Sequence, residues 1–210
     1  MYLQGGPGYN CRPPNYYPFV NTALDRGYQV LFLDQRGTGL STPISARTLG
    51  LHHRDTDQAQ ADYLKHFRAD SIVKDCEAIR KALTASLPEE KRKWSIIGQS
   101  FGGFCVTTYL SFFPEGLREA FTTGGLPPLV DNPDHVYERL YKKVIQRNKA
   151  YYQKYPEDVE RVMQIVQMLD ERGEDSAQSP SGGRLSSSRF LQLGLNLGFH
   201  GVYHASEDAL

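Results

Sequence analysis

The sequence has no long hydrophobic segment: no apolar run approaches the ~20 residues that a membrane-spanning helix needs. It also has no excess of one charge, since 24 basic and 24 acidic residues give a formal net charge of zero. Proteins that bind nucleic acid or an anionic membrane surface usually carry an excess of basic residues. We therefore expect neither of these partners.

Cysteine is scarce, and the three cysteines are widely separated in the sequence. They are too few for a disulfide framework and too scattered for a zinc site. We therefore expect no metal or other cofactor, and a reducing compartment, the cytoplasm. The first residues have neither the basic start nor the apolar stretch of a signal peptide, and the sequence contains no internal repeats.

The most informative segment surrounds Ser100. The apolar run 94–97 meets Gly98-Gln99-Ser100-Phe101-Gly102, and a helix candidate follows over residues 104–113. Strand, sharp turn and helix are the order that a nucleophile elbow requires. Gly-x-Ser-x-Gly alone is a weak signal, so the flanking strand and helix carry this prediction.

The elbow also predicts the role of its small residues. We expect Gly98 and Gly102 to be small because neighbouring backbone and the following helix come too close for a side chain. Cys105 falls on the predicted helix, and we expect it to be a buried apolar residue and not a nucleophile.

Two further glycine-rich turns follow apolar segments. Gly5–Gly8 comes after Met1–Gln4, which looks like the end of a buried strand. The turn over residues 34–41 comes after residues 28–34, an apolar run typical of a strand buried on both faces. The carboxyl ends of parallel strands meet at one sheet edge, where ligands bind. The three turns are therefore expected to form one site.

Helix candidates separate these strands. Residues 16–26 and a segment from Asp70 read as helices, and residues 117–123 as another strand. In the helix from Asp70, with Ser71 or Asp70 as its cap, the residues expected to be apolar and inward are Ile72, Val73, Cys76, Ile79, Ala82 and Leu83. Those expected on its polar face are Lys74, Asp75, Glu77, Arg80 and Lys81. The alternation predicts an α/β fold, a parallel sheet with helices on both faces.

The character of the sequence changes after Pro127. No apolar strand-like run appears beyond Thr123, whereas residues 136–155, 156–172 and 189–205 have helical patterns. We therefore predict two parts. Residues 1–126 form the α/β part, and residues 127–210 form a smaller helical part.

A nucleophilic serine needs a histidine base, an acid that orients the base, and two N–H donors for the developing oxyanion. Phe101 is the expected first donor, and Gly5-Gly6 the expected source of the second. Asp34 and Arg36 are expected to form an ion pair that pins the turn beside the pocket, without direct substrate contact.

The acid and the base have no convincing candidates. The residues considered are Asp131, Asp134, Asp158, Asp170, Asp175, His200 and His204. None follows a recognisable strand, although hydrolases of this type place both groups after later strands of the sheet. His135 is expected to cap a helix. We therefore expect a nucleophile and an oxyanion hole without a complete triad.

Taken together, the three turns resemble those of the prolyl aminopeptidases (proline iminopeptidases, peptidase family S33) of the α/β-hydrolase fold. The matching segments are residues 5–8, 34–41, 68–80, 98–103, 182–185 and 189–194. The resemblance covers nearly the whole sequence. The combination of Gly-Gly-Pro-Gly with Asp-Gln-Arg-Gly is its most specific part.

The resemblance implies that Ser100 attacks the carbonyl of an N-terminal proline in a peptide substrate and forms an acyl-enzyme. Gly6 and Phe101 would supply the oxyanion N–H groups, and the helical cap would hold the free imino group. The family has strands before the Gly-Gly-Pro-Gly turn and a triad acid and histidine further along. The resemblance therefore also implies an incomplete form, with residues 1–126 as a partial α/β-hydrolase core and residues 127–210 as an incomplete helical cap. An esterase or lipase-like hydrolase and a non-catalytic hydrolase-like binding protein remain alternatives.

Overall fold

The computed structural model describes residues 1–50, 56–172, 178 and 183–194. The chain divides into two units, residues 1–129 and 130–210. The boundary predicted near residue 126, and the assignment of the two parts as hydrolase core and cap, stay predictions.

Within the described part of the chain, four strands form one sheet in the order β2-β1-β3-β4. The strands are β1 (Tyr2–Leu3), β2 (Phe32–Leu33), β3 (Trp94–Gln99) and β4 (Leu117–Thr123). Every neighbouring pair is parallel. The alternation of strands and helices in the sequence therefore predicted the fold class correctly.

Five α-helices are described in the first unit. They are α1 (Phe19–Asp25), α2 (Ala46–Leu49), α3 (Asp57–Leu64), α4 (Ala69–Thr84) and α5 (Phe101–Phe112). Short 3-10 turns cover Pro14–Tyr16, Lys65–Phe67, Glu89–Lys91 and Pro114–Gly116. Short segments join α4 to β3 and α5 to β4, as expected for a parallel sheet whose helices pack back onto it.

The two residues of β1 point to opposite faces of the sheet, and each packs into a different apolar cluster. Leu3 belongs to the larger cluster, which also contains Ile72, Val73, Cys76, Ile96, Cys105, Val106, Tyr109 and Leu117. Tyr2 packs with Tyr17 and Val20. Helices α4 and α5 thus cover one face and the α1 segment covers the other. Cys105 is fully buried, as expected.

Two elements begin later than predicted. β2 covers only Phe32–Leu33 and not residues 28–34, because its ladder can be no longer than its two-residue neighbour β1. It is an edge strand of this sheet, and its two residues are half-buried. Leu33 packs against the apolar cluster on one face and Phe32 against the cluster on the other, so the strand has apolar contacts on both faces, as predicted. Helix α1 starts at Phe19 because Tyr17 precedes a proline and is extended, with φ −108° and ψ 109°.

The two faces predicted for α4 are wrong at four positions. Ala82 and Leu83, expected to be inward, are exposed in the last turn of the helix. Glu77 and Arg80 are buried, with 3% and 8% of their surface exposed. Arg80 donates to both carboxylate oxygens of Glu77, at 2.8 and 2.6 Å. Neither Ser71 nor Asp70 caps the helix, since the N-cap is Arg68 without a side-chain bond.

The buried ion pair belongs to a network that joins three elements. Tyr109 of α5 donates its hydroxyl proton to Glu77 at 2.8 Å, and the Trp94 indole of β3 donates to Tyr109 at 3.2 Å. Arg80 also donates to the Arg92 carbonyl at 2.7 Å. The Arg80 hydrogen bonds, with that of Tyr109, lower the pKa of Glu77 to about 2. This network fixes α4 and α5 behind the strand that leads to Ser100.

The second unit is helical over its described residues, with α6 (Asp134–Lys154), α7 (Glu157–Arg172) and α8 (Ser187–Leu191). Helix α6 buries none of its residues, and α7 buries Leu169. The part of the predicted helix 189–205 beyond residue 194 lies outside the described residues. No described helix combines the length and apolar character that crossing a bilayer would need.

Candidate active site

Ser100 stands alone between β3 and α5. β3 ends at Gln99 and α5 begins at Phe101, not at Phe104 as predicted. Ser100 has φ 54° and ψ −119°, and it is the one non-glycine residue with positive φ among those the structure describes. The backbone of a residue other than glycine is strained in this conformation, and such strain concentrates at functional sites. The turn leaves Ser100 exposed to solvent.

Close backbone contacts explain the glycines around the serine. A Cβ at Gly98 would overlap the carbonyl group of Gly102, and a Cβ at Gly102 would overlap the Leu3 carbonyl. Similarly, a Cβ at Gly125 would overlap the carbonyl of Ser100. Helix α5 therefore packs closer to the neighbouring backbone than a side chain at these three positions would permit.

The first glycine turn lies directly against the serine. A Cβ placed on Gly5 would be 2.8 Å from the Gln99 carbonyl oxygen, 2.9 Å from Cβ of Ser100 and 3.5 Å from its Oγ. Gly5 is buried, whereas the neighbouring Gly6, with φ 123°, is exposed. The structure therefore brings the Gly5–Gly8 turn and the elbow together at one sheet edge.

Two backbone N–H groups at this edge are without an acceptor among the described residues. Phe101 is the first residue of α5, so its N–H has no intrahelical acceptor. Neither the Phe101 nor the Gly6 N–H donates to an acceptor within the part of the chain that the structure describes. The positive end of the α5 dipole also favours negative charge here. These groups could together bind an anionic oxygen formed beside Ser100.

The third turn is fixed by different bonds from those predicted. Asp34 accepts from the N–H of Cys11 at 2.7 Å and from that of Leu40 at 2.9 Å. Arg36 donates to both oxygens of Asp75 on α4, at 2.6 Å each. The expected Asp34–Arg36 ion pair is therefore wrong, because each side chain has a partner elsewhere. Both residues still hold the turn in place.

Glutamine side chains join the three turns, and sequence reasoning missed this. The buried Gln35 donates its side-chain amide to the Gln4 carbonyl at 3.0 Å. The Tyr2 hydroxyl lies 2.6 Å from Oε1 of Gln4 and 2.9 Å from Oε1 of Gln99. The available signal was that each turn carries a glutamine within two residues of one of its glycines.

A base and an acid are not assigned. Ser100 Oγ has no hydrogen-bond partner among the described residues. His135 lies in the first turn of α6, whose N-cap is Pro133, so it is not the predicted cap. The candidate acids described in the second unit are Asp131, Asp134, Asp158 and Asp170. Three candidates lie outside the described residues, namely Asp175, His200 and His204.

Asp158 already has partners within its own unit. It accepts from the Tyr151 hydroxyl at 2.6 Å and from Arg161 at 3.1 Å. These two hydrogen bonds hold its pKa below the ordinary value. In the described part of the chain, no group of three or more histidine, cysteine or acidic side chains could hold a metal ion.

A serine at a strained strand-to-helix turn, beside unpaired N–H groups at the edge of a parallel sheet, defines a class of hydrolase. The family model described as alpha/beta hydrolase fold matches residues 1–206. The chain belongs to the α/β-hydrolase fold family.

Two curated relatives are more specific. The chain is 49% identical over 201 residues to the proline iminopeptidase aneH of Aspergillus aculeatus, a match that covers 96% of this chain and 44% of the relative. It is 43% identical over 214 residues to a proline iminopeptidase of Aeromonas sobria, covering 100% of this chain and 48% of the relative. The predicted resemblance is confirmed. The chain spans about half the length of these relatives.

Proposed function

We propose that this chain carries the nucleophile and the oxyanion-binding turns of a serine aminopeptidase that releases proline from the N-terminus of peptides. The observation that carries the proposal is the Gly5 backbone packed against Ser100 at a strained elbow. The printed names of the two relatives, both proline iminopeptidases, supply the substrate class. The cytoplasmic location expected from the cysteines stays a prediction.

In the proposed reaction, Ser100 Oγ attacks the carbonyl carbon of the N-terminal proline. The oxygen of that carbonyl becomes negative and accepts hydrogen bonds from the N–H groups of Gly6 and Phe101, with Gly5 holding the turn against the serine. Each such donor contributes ~3 kcal/mol to stabilising the transition state. The Ser100 hydroxyl loses its proton as the C–O bond forms. Collapse of the tetrahedral intermediate then breaks the C–N bond, the departing amine of the shortened peptide takes up a proton, and proline is left esterified to the serine. Water then releases proline.

An activated ester tests the nucleophile without requiring a group that protonates the leaving group. The p-nitrophenolate of L-proline p-nitrophenyl ester leaves without being protonated, so acylation requires less help from acid–base groups. We expect a stoichiometric burst of p-nitrophenolate from the purified chain, with the prolyl group found on Ser100 by peptide mass mapping. Ser100→Ala should abolish both signals.

Ser111→Ala is the matched control, because it removes the hydroxyl of a serine on α5, the helix that follows the elbow. That hydroxyl donates to the Thr107 carbonyl at 3.0 Å and is remote in sequence from the elbow. The control should acylate as the wild type does. A burst that survives in Ser100→Ala would overturn the assignment of the nucleophile.

The acyl group distinguishes the proposed aminopeptidase from its alternatives. An aminopeptidase should accept the L-prolyl ester in preference to its N-acetyl derivative and to p-nitrophenyl acetate, because it requires a free imino group. Acetate transfer as fast as prolyl transfer would favour the esterase alternative. No acylation by any of the three esters would favour a non-catalytic binding protein.

A further inference from the structure

The hydroxyl of Tyr2 connects the two turns that meet at Ser100. Tyr2 lies on β1 with 1% of its surface exposed. Its oxygen is 2.6 Å from Oε1 of Gln4 and 2.9 Å from Oε1 of Gln99. Gln4 directly precedes Gly5, and Gln99 directly precedes Ser100. One phenol oxygen therefore bridges the residues that lead into the glycine turn and the elbow.

The surroundings of Tyr2 leave its oxygen little freedom. Its ring packs between those of Tyr17, Phe19 and Phe32, with centroid distances of 4.6, 5.5 and 5.6 Å. Burial raises the pKa of Tyr2, so the hydroxyl stays protonated and is unsuited to act as a base. A phenol has one proton and donates to one glutamine, and the other amide can turn its N–H group toward the phenol oxygen.

We propose that Tyr2 is a positioning residue that sets the separation between the oxyanion turn and the nucleophile. The inference rests on the proposed function, in which N–H groups of both turns bind one oxygen. Such donors act only when they lie about 2.7–3.1 Å from that oxygen. A bridge between Gln4 and Gln99 fixes this separation from behind, without touching the substrate.

Tyr2→Phe tests the bridge, because it removes the oxygen and keeps the ring in its cluster. In the acylation assay with L-proline p-nitrophenyl ester, we expect the rate constant at saturation to fall about tenfold. The half-saturating ester concentration should stay within about twofold, because the binding surface is unchanged. A purely structural role would lower the urea midpoint and leave the acylation rate of the folded protein unaltered.

Tyr17→Phe is the matched control in the same aromatic cluster. Its hydroxyl is 3.5 Å from Oε1 of Gln4 and accepts from the N–H of Arg12, and among the described residues no hydrogen bond joins it to Gln99. We expect acylation by this variant to remain within about twofold of the wild-type rate. The comparison separates the loss of a bridging hydroxyl from the loss of any hydroxyl in the cluster.

A double-mutant cycle with Gln99→Leu tests whether the Tyr2 hydroxyl acts through Gln99. If Tyr2 acts through Gln99, Tyr2→Phe should cause little further loss in the Gln99→Leu background. Additive losses would overturn the inference. So would wild-type acylation by Tyr2→Phe, or an equal loss in Tyr17→Phe. These results leave Ser100-dependent acylation intact, whereas failure of the proposed function would show as acylation that does not require Ser100.

Discussion

Replacement of Glu77 by glutamine is the perturbation whose effect on stability follows most directly from the structure. Glu77 is buried and accepts two hydrogen bonds from Arg80 and one from Tyr109. Glutamine has nearly the same shape but no charge, so it leaves the buried Arg80 guanidinium without its counter-ion. Rearrangement is restricted, because a Cβ at Gly116 would be 2.8 Å from both Arg80 Nε and Glu77 Oε2.

The expected loss of stability in Glu77→Gln can be obtained in two ways. Removing one partner of a buried ion pair destabilises a protein by roughly 3–5 kcal/mol. Independently, the pKa of Glu77 falls from 4.5 to about 2 on folding. That shift corresponds to about 3 kcal/mol of stability at neutral pH. We therefore expect Glu77→Gln to lower the free energy of unfolding by about 3 kcal/mol or more.

Urea unfolding followed by tryptophan fluorescence measures this loss. Trp94 is the single tryptophan, and its indole N–H donates to the Tyr109 hydroxyl that binds Glu77. For a domain of this size, 3 kcal/mol lowers the urea midpoint by roughly 1.5–2 M. Glu119→Gln is the matched control, since its side chain is 46% exposed and pairs with Arg118 at the surface. We expect the control to lose less than ~1 kcal/mol. Equal midpoints for the two variants would refute the reasoning.

Two further predictions follow from the same residues and from the elbow. The folded pKa of Glu77, about 2, lies below its unfolded value, so its stabilising contribution is complete above about pH 4.5 and is lost as the pH falls toward 2. Urea midpoints measured across that range should therefore fall less in Glu77→Gln than in the wild type, and parallel declines would contradict this. Gly98→Ala should lose about 3 kcal/mol or more, because its Cβ would overlap the Gly102 carbonyl. Gly50→Ala, whose Cβ would meet no atom of the described residues within 4 Å, should change the urea midpoint little, and similar midpoints for the two would argue against the close packing.

The sequence predicted the elements whose signals are local. β4 was predicted with its observed limits, and the elbow was found because an apolar run, two glycines and a helix lie within a few residues. The length of β2 could not be predicted in this way. It depends on the two-residue strand that pairs with it, and that strand lies far away in the sequence.

Side-chain partners were harder to predict because they come from distant elements. Helical periodicity assigned Glu77 to the solvent-facing side of α4, yet its partner Tyr109 lies on α5. Likewise, Asp34 and Arg36 are neighbours that suggested a mutual pair, whereas Arg36 binds Asp75 on α4. Periodicity describes one helix at a time, and it contains no information about a charge that a second helix stabilises.

If the fold makes Ser100 a nucleophile, a serine-reactive reagent should select it from the other serines of the folded chain. We would treat the chain with a fluorophosphonate and map the modified serines by mass spectrometry. The treatment would be done with and without urea at about 8 M, a concentration that unfolds most small domains. We expect Ser100 to be labelled in preference to all other serines in the folded chain, and unfolding to remove the preference. Labelling without preference for Ser100, or no labelling of the folded chain, would contradict this expectation.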